Sequence, residues 1–413
     1  MGTSPGGNPW GRAMNIFRPQ QRYVFRPPKY SPLLGPILRR VSGIFFLRRK
    51  FRIRNITAQG VDRVAALARE GHSILVGPNH ADHADPHVLL RIGNRAGLRF
   101  HFMAAREGFE AKWLQRFLMQ RCGAFSVDRE GTDIAAFKTA VKILREARYP
   151  LVVFPEGEIY HHHERLDPLN EGVATMVLRA AGKVRDGRGA YLVPTAMRYA
   201  YDESAATAFA QRLDALEERI TWKPRSDMDV VARIYRLGGG LLAIKEVEFL
   251  NDVRQAGLVD RISNLRNKLV EMIEAKHLQE NGAGSIPERV KAMRGRIRQQ
   301  LTDPETKVSP EQENELYDDL DRLFVVAQLY SYPGLYLRED PSVHRIAETI
   351  LKLEEDVLGD AVYDSPRDVT VRFGEPIDVK AFLKDRSLNA KTGVRPLTTV
   401  LSEEIESMLD DLT

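Results

Sequence analysis

The stretch 73–96, "SILVGPNHADHADPHVLLRIGNRA", changes its period halfway. "SILVGP" (73–78) is a short apolar run and reads as a buried strand, whereas "PHVLLRIGNRA" (86–96) spaces its apolar residues as a helix does. Between them lies "NHADHADPH", Asn79 to His87, with three histidines and two aspartates in nine residues. A strand that passes into a helix through a polar turn is the building unit of α/β sheets. In such sheets ligands bind beyond the carboxyl ends of the strands, which is where this turn falls.

The rhythm continues outward. "RFHFMAA" (99–105), "AFSV" (124–127), "PLVVFP" (150–155) and "AYLVPTAMRY" (190–199) read as strands. "KWLQRFLMQRC" (112–122), "TDIAAFKTAVKILREAR" (132–148) and "GVATMVLRAAGK" (172–183) read as helices between them. The expected fold class is therefore α/β, a mostly parallel sheet flanked by helices on both faces. After residue 204 the strand signal fades into charged, helical segments such as "LVDRISNLRNKLVEMIEAKHL" (258–278) and "PSVHRIAETILKLEEDVL" (341–358). "DVTVRFGEPIDV" (368–379) returns to strand alternation, with a turn at Gly374 to Pro376. The expected organisation is a basic, partly disordered and amphipathic N-terminal arm (1–60), an α/β core (61–204), a large helical insertion before the last strand (205–360), and a closing strand with a C-terminal helix (361–413).

With 413 residues, 43% of them hydrophobic and 28% charged, the chain can bury a sizeable core. No apolar run reaches eighteen residues, so no transmembrane helix is expected, and no secretory leader pattern opens the chain. One cysteine, Cys122, makes neither an intrachain disulfide nor a cysteine-based zinc site and fits a reducing compartment. The net charge of +5 is unevenly placed. Residues 1–61 hold twelve basic and no acidic residues, which leaves 49 basic against 56 acidic in the rest. "SPLLGPILRRVSGIFFLRRKFRIR" (31–54) mixes Leu, Ile and Phe with cations. That composition suits the interface of an anionic membrane better than nucleic acid.

Three constellations carry chemistry. His80 and Asp85 are five positions apart in a turn short enough to fold back on itself. A histidine titrates near neutrality, and a carboxylate on one ring nitrogen fixes its tautomer and stabilises the imidazolium. Asp85 precedes Pro86, so capping the helix is its alternative role. In "GAFSVDREG" (123–131), Asp128 and Arg129 follow a strand, where Arg129 faces either an anion or a surface partner. In "FPEG" (154–157), Glu156 offers a carboxylate to a hydroxyl and Gly157 permits close backbone approach.

In this order the three constellations resemble those of the glycerolipid acyltransferase family, the 1-acylglycerol-3-phosphate acyltransferases and their relatives. That family carries Asn-His-x4-Asp, here Asn79, His80 and Asp85. It carries Gly-x-x-Phe-x-Asp-Arg, here Gly123, Phe125, Asp128 and Arg129. It carries Phe-Pro-Glu-Gly, here Phe154, Pro155, Glu156 and Gly157, and then a Pro-containing strand, here Pro194. "NEG" (170–172) and "VRFGEPI" (371–377) resemble its later segments. The resemblance covers about 72–199 and 368–378. It implies that His80 is the general base and Asp85 its orienting partner, with the other matched residues lining the acceptor site. It implies an acyl-CoA or acyl carrier protein thioester as co-substrate, with no metal and no further cofactor. The implied partners are a lipid acceptor and the cytoplasmic face of a membrane, reached through the basic arm, and not nucleic acid. The sequence is silent on oligomeric state.

The sequence departs from the family where Phe-Pro-Glu-Gly usually continues as Thr-Arg-Ser. Here Glu158, Ile159 and Tyr160 follow, so an arginine expected at the phosphate is absent. His161, His162, His163 or Arg165 could replace its charge, or the acceptor could be neutral. Two rival readings use the same residues. One is a metal-dependent hydrolase built on the 80–87 histidines, although their spacing differs from the His-x-His-x-Asp-His loop of such enzymes. The other is a non-catalytic membrane scaffold, against which intact His80, Asp85 and Glu156 argue.

Overall fold

Ser73 to Pro78 are buried at every position, as a strand with helices on both sides requires. Leu75 joins one hydrophobic cluster, while Ile74 and Val76 join another on the opposite face. The computed structural model describes residues 23–31, 45–110, 112–129, 133–184, 187–278, 284–302, 308–332 and 334–412. The first part of the chain alternates β1 (Ile53–Gln59), α1 (Val61–Arg69), β2 (Ser73–Pro78), α2 (Asp85–Ala96), β3 (His101–Ala105), the short α3 (Glu107–Glu110), α4 (Trp113–Arg121), β4 (Ala124–Val127), α5 (Ile134–Glu146), β5 (Leu151–Val152), α6 (Gly172–Ala181) and β6 (Ala190–Tyr201). Helices α7 (Ala206–Thr221), α8 (Val230–Leu250), α9 (Leu258–His277), α10 (Ile286–Thr302), α11 (Pro310–Tyr330), the short α12 (Tyr336–Glu339) and α13 (Val343–Leu358) follow. The chain then returns to the sheet as β7 (Arg367–Phe373) and β8 (Ile377–Asp378), and ends in α14 (Val379–Asp385) and α15 (Val394–Asp410).

The sheet order is β1-β7-β6-β2-β5-β3-β4, with β8 paired to β6. From β6 to β4 every neighbour is parallel. β7 runs antiparallel to β6, and β1 runs parallel to β7. The expected mostly parallel α/β sheet is thus present, with α5, α6 and α15 on one face and α1 and α2 on the other. The antiparallel turn of β7 has a chemical consequence. The N-terminal ends of β1 and β7 lie at the same sheet edge as the C-terminal ends of β2, β5, β3 and β4.

Two expectations shift. Residues 53–59, read from the sequence as the end of the arm, are the edge strand β1, whose largely exposed pattern hides its pairing with β7. The strand expected over 150–155 pairs as a ladder only at Leu151 and Val152. Pro155 has no N–H to extend it. Of the amphipathic segment expected over 31–50, residues 32–44 lie outside the described residues.

Two compact units result. One comprises residues 24–129, 133–205 and 363–413, and the other contains residues 206–362. Within the helical unit, Leu265, Leu269, Met293, Ile297, Leu320 and Leu323 form the core. Its many charges are matched internally. Arg233 bonds Glu217 at 2.7 Å, Arg212 bonds Glu354 at 2.6 Å, and His277 bonds Asp319 at 2.7 Å. Ser309 and Gln312 form a reciprocal capping box at the start of α11.

Candidate active site

β2 ends at Pro78, and the chain is at once tied down. The amide of buried Asn79 donates to the Met197 carbonyl at 3.0 Å and accepts from the Met197 N–H at 2.7 Å. This side chain anchors the turn to β6 and does not face an acceptor, which corrects the role inferred for it from the family.

The turn then folds back. His80 Nδ1 lies 2.9 Å from Asp85 Oδ2. Asp85 is fully buried at the start of α2. Its carboxylate also accepts the Asp82 N–H at 3.0 Å and the Tyr199 hydroxyl at 2.5 Å. Burial, with the Asp85 and Asp82 carboxylates beside it, holds the Tyr199 phenol well above its ordinary range, so Tyr199 stays a donor. The His80 ring stacks on Phe154, with centroids 3.8 Å apart. With Nδ1 directed at Asp85, Nε2 is the nitrogen that can take a proton, and the side chain keeps 15% of its surface open to solvent.

The rest of the turn is held from β7. The Arg367 guanidinium grips Asp82 with both ends, at 2.6 and 3.0 Å. It also donates to the Phe51 carbonyl at 3.1 Å and to the Tyr201 hydroxyl at 3.2 Å. The Tyr199 and Tyr363 rings lie 4.5 and 4.6 Å from it. Burial alone would raise the Asp82 carboxyl, but Arg367 outweighs it and holds the group below its ordinary range.

Glu156 is buried between two loops. Its Oε1 accepts the His80 N–H at 2.6 Å and its Oε2 accepts the Asp167 N–H at 3.2 Å. Burial, helped by the nearby Asp167 and Asp85 carboxylates, pushes it up to about 8 despite those donors. Both oxygens are engaged, so Glu156 clamps loops together where the sequence suggested a ligand for a hydroxyl. The second loop carries its own pair, His162 Nε2 to Asp167 Oδ2 at 2.7 Å. Asn170 closes this region by donating from its backbone and its side chain to the Pro155 carbonyl, at 2.8 and 3.1 Å.

The remaining expected residues divide. Phe125 is fully buried in the core on the α5–α6 face, and Pro194 is buried in β6 opposite Gly77. Neither lines a site. Gly123 has φ +96°, and a Cβ there would meet the Phe100 carbonyl at 3.0 Å, so its place is a backbone requirement. Gly157, at φ +78°, likewise turns the chain. Asp128 lies 3.4 Å from Arg106. Arg129 donates to the Gly157 carbonyl at 2.8 Å and pairs with Glu158 at 2.8 Å. Arg129 is therefore matched to a carboxylate at the position where the family usually has threonine.

The histidines of the opening stretch diverge. His80 faces Asp85 and Phe154. His83 lies against His161, with centroids 5.6 Å apart. His87 is half-buried between the Phe46 and Phe51 rings, and desolvation there, with Lys50 nearby, lowers it to about 4. The three are not arranged around one centre, as the metal-hydrolase reading needs. Tyr199, Asp82, Arg367 and Asp167 were not identified from the sequence. Asp82 lies inside the quoted stretch, and Tyr199 ends a strand that was recognised. Arg367 is 285 positions from its partner and gives no local signal.

The unit carrying this arrangement is similar to known acyltransferases. The family model described as Acyltransferase matches residues 55–198 of this chain. It is similar to the 1-acyl-sn-glycerol-3-phosphate acyltransferase of Bacillus subtilis (strain 168), 39% identical over 59 residues that make up 14% of this chain and 29% of that protein. It is also similar to the glycerol-3-phosphate acyltransferase of Pseudoalteromonas atlantica (strain T6c / ATCC BAA-1087), 30% identical over 128 residues, 30% of this chain and 16% of that protein. The chain thus spans less than a third of either relative's length.

Proposed function

We propose that this protein transfers a fatty acyl group from a thioester, acyl-CoA or acyl carrier protein, to a hydroxyl of a glycerolipid. The observation that carries the reading is the buried chain Tyr199–Asp85–His80, which leaves His80 Nε2 facing outward as a base. Nε2 takes the hydroxyl proton as the oxygen attacks the thioester carbonyl. Asp85 stabilises the imidazolium, and Tyr199 keeps Asp85 oriented. Collapse of the tetrahedral intermediate breaks the C–S bond, and the imidazolium returns the proton to the departing thiolate. General-base assistance of this kind contributes roughly 10²–10⁴-fold.

The acceptor is reached at a lipid surface. No described helix is long and apolar enough to cross a membrane. α4 instead exposes Trp113, Leu114 and Phe117, at 71, 50 and 37%. Arg121 lies over the Phe117 ring, and Lys112 precedes the helix. Such a mixture of aromatic, apolar and cationic side chains suits the headgroup layer of an anionic bilayer. The Ser31 N–H donates to the Arg121 carbonyl at 3.3 Å, which ties residue 31 to the end of this helix.

The test is acyl transfer by the full chain from labelled acyl-CoA or acyl carrier protein to a panel of glycerolipid alcohols, read by mass spectrometry. Wild type makes an ester and His80→Ala does not. Absence of product with every donor, from folded protein, overturns the reading.

A further inference from the structure

Resting on that reading, we propose that Glu158 sets the acceptor class, turning the site away from phosphate monoesters and toward a hydroxyl lipid whose head group carries no net negative charge. The two relatives are named for acceptors bearing a 3-phosphate. A phosphate monoester carries about −1.5 to −2 charges at neutral pH and needs uncommitted cations, above all arginine forks. Among the described residues, Arg106, Arg129, Arg165 and Arg198 near these loops instead lie beside carboxylates.

Arg129, the motif arginine, bonds Glu158 at 2.8 Å and has Glu107 at 3.7 Å. Its Nη1 is also held by the Gly157 carbonyl, which keeps the guanidinium against the Phe-Pro-Glu-Gly turn. Arg106 is shared between Asp128 at 3.4 Å and Glu110 at 3.3 Å. Arg198 pairs with Glu164 at 3.2 Å. His162 is bonded to Asp167, and Arg165 lies 4.0 Å from the same carboxylate. Two of the residues that could have replaced the missing arginine of the motif, His162 and Arg165, are thus themselves beside an acid. Among the described residues around Arg129, Arg106 and Arg129 are shared among the carboxylates Glu107, Glu110, Asp128 and Glu158. A phosphate dianion entering there meets repulsion that the arginines do not offset, whereas an ammonium or an uncharged polar end does not.

The experiment compares kcat/KM of wild type, Glu158→Gln and Glu158→Thr on three acceptors with the same acyl chain. They are a 1-acylglycerol phosphate, a 1-acylglycerophosphoethanolamine and a monoacylglycerol. His80→Ala is run on each. Wild type is expected to prefer the second or third acceptor, and which of the two distinguishes an ammonium from an uncharged group. Both Glu158 variants are expected to raise transfer to the phosphate monoester by about tenfold or more, a change of about 1.4 kcal/mol. They should leave the monoacylglycerol within about threefold. Preference of wild type for the phosphate monoester overturns the proposal while leaving acyl transfer intact. A preference that Glu158→Gln does not alter also overturns it. No His80-dependent transfer to any acceptor overturns the acyltransferase reading itself, and this proposal with it.

Discussion

Glu156 and His87 are both desolvated and held neutral, one an acid and one a base, and their effects on stability have opposite signs. Glu156 moves from 4.5 to about 8 on folding, so the folded chain holds a proton that the unfolded chain releases. Its contribution therefore falls as pH rises through that window. His87 moves from 6.5 to about 4, so its contribution falls as pH drops through that window. The two oppose each other where the windows overlap, and only Glu156 acts between pH 6.5 and about 8. Urea unfolding at pH 6.5 and 8 isolates it. Wild type should lose up to about 1.4 kcal/mol per pH unit relative to Glu156→Gln, whose amide oxygen still accepts the His80 N–H but does not titrate. Equal slopes for the two proteins would show that Glu156 is already ionised in its clamp.

Among the elements, β7 does more than close the sheet. Because it runs antiparallel to β6, its first residue, Arg367, reaches the turn that follows β2 and holds Asp82 from the far side. Arg367→Met leaves Asp82 buried and unpaired and should cost about 3–5 kcal/mol, with acyl transfer falling as the turn loosens. Adding Asp82→Asn should recover most of the stability. Thermal melts of the two variants check this, and a single mutant that melts with wild type would contradict it. This pair also marks the limit of what the sequence makes legible. His80 and Asp85 could be paired from sequence because a strand-to-helix turn brings positions five apart together. The parallel strands were legible from their apolar runs. Nothing local connects Asp82 to a residue 285 positions away. Nor does a four-residue motif reveal that the oxygens of Glu156 meet two backbone N–H groups. Phe125 was assigned to the site because its neighbours belong there, but strand alternation sends its ring into the opposite core.

For the whole molecule, charge is unevenly distributed along the chain. The first 61 residues carry all their formal charge as cations, and the remainder is net acidic. On the proposed lipid-surface reading, an anionic bilayer would attract the one region and repel the other, favouring a single orientation at the surface. Binding of the full chain to vesicles containing anionic lipid should weaken as ionic strength rises. Trp113→Ala combined with Leu114→Ala should weaken it further without altering the melting temperature. Salt-independent binding, or binding indifferent to the α4 substitutions, would contradict this orientation. The helical segment between β6 and β7 was legible as helix from its period. Its dense charge resolves into internal pairs such as Arg261 with Glu246 at 2.7 Å.

The most direct test of the central claim is a single-turnover comparison of wild type and His80→Gln on a labelled acyl thioester and the best acceptor of the panel. The two proteins would first be matched for folding by circular dichroism. Wild type should form the ester, and the variant should be slowed at least about 10²-fold. Ester formation at an unchanged rate in folded His80→Gln would contradict it.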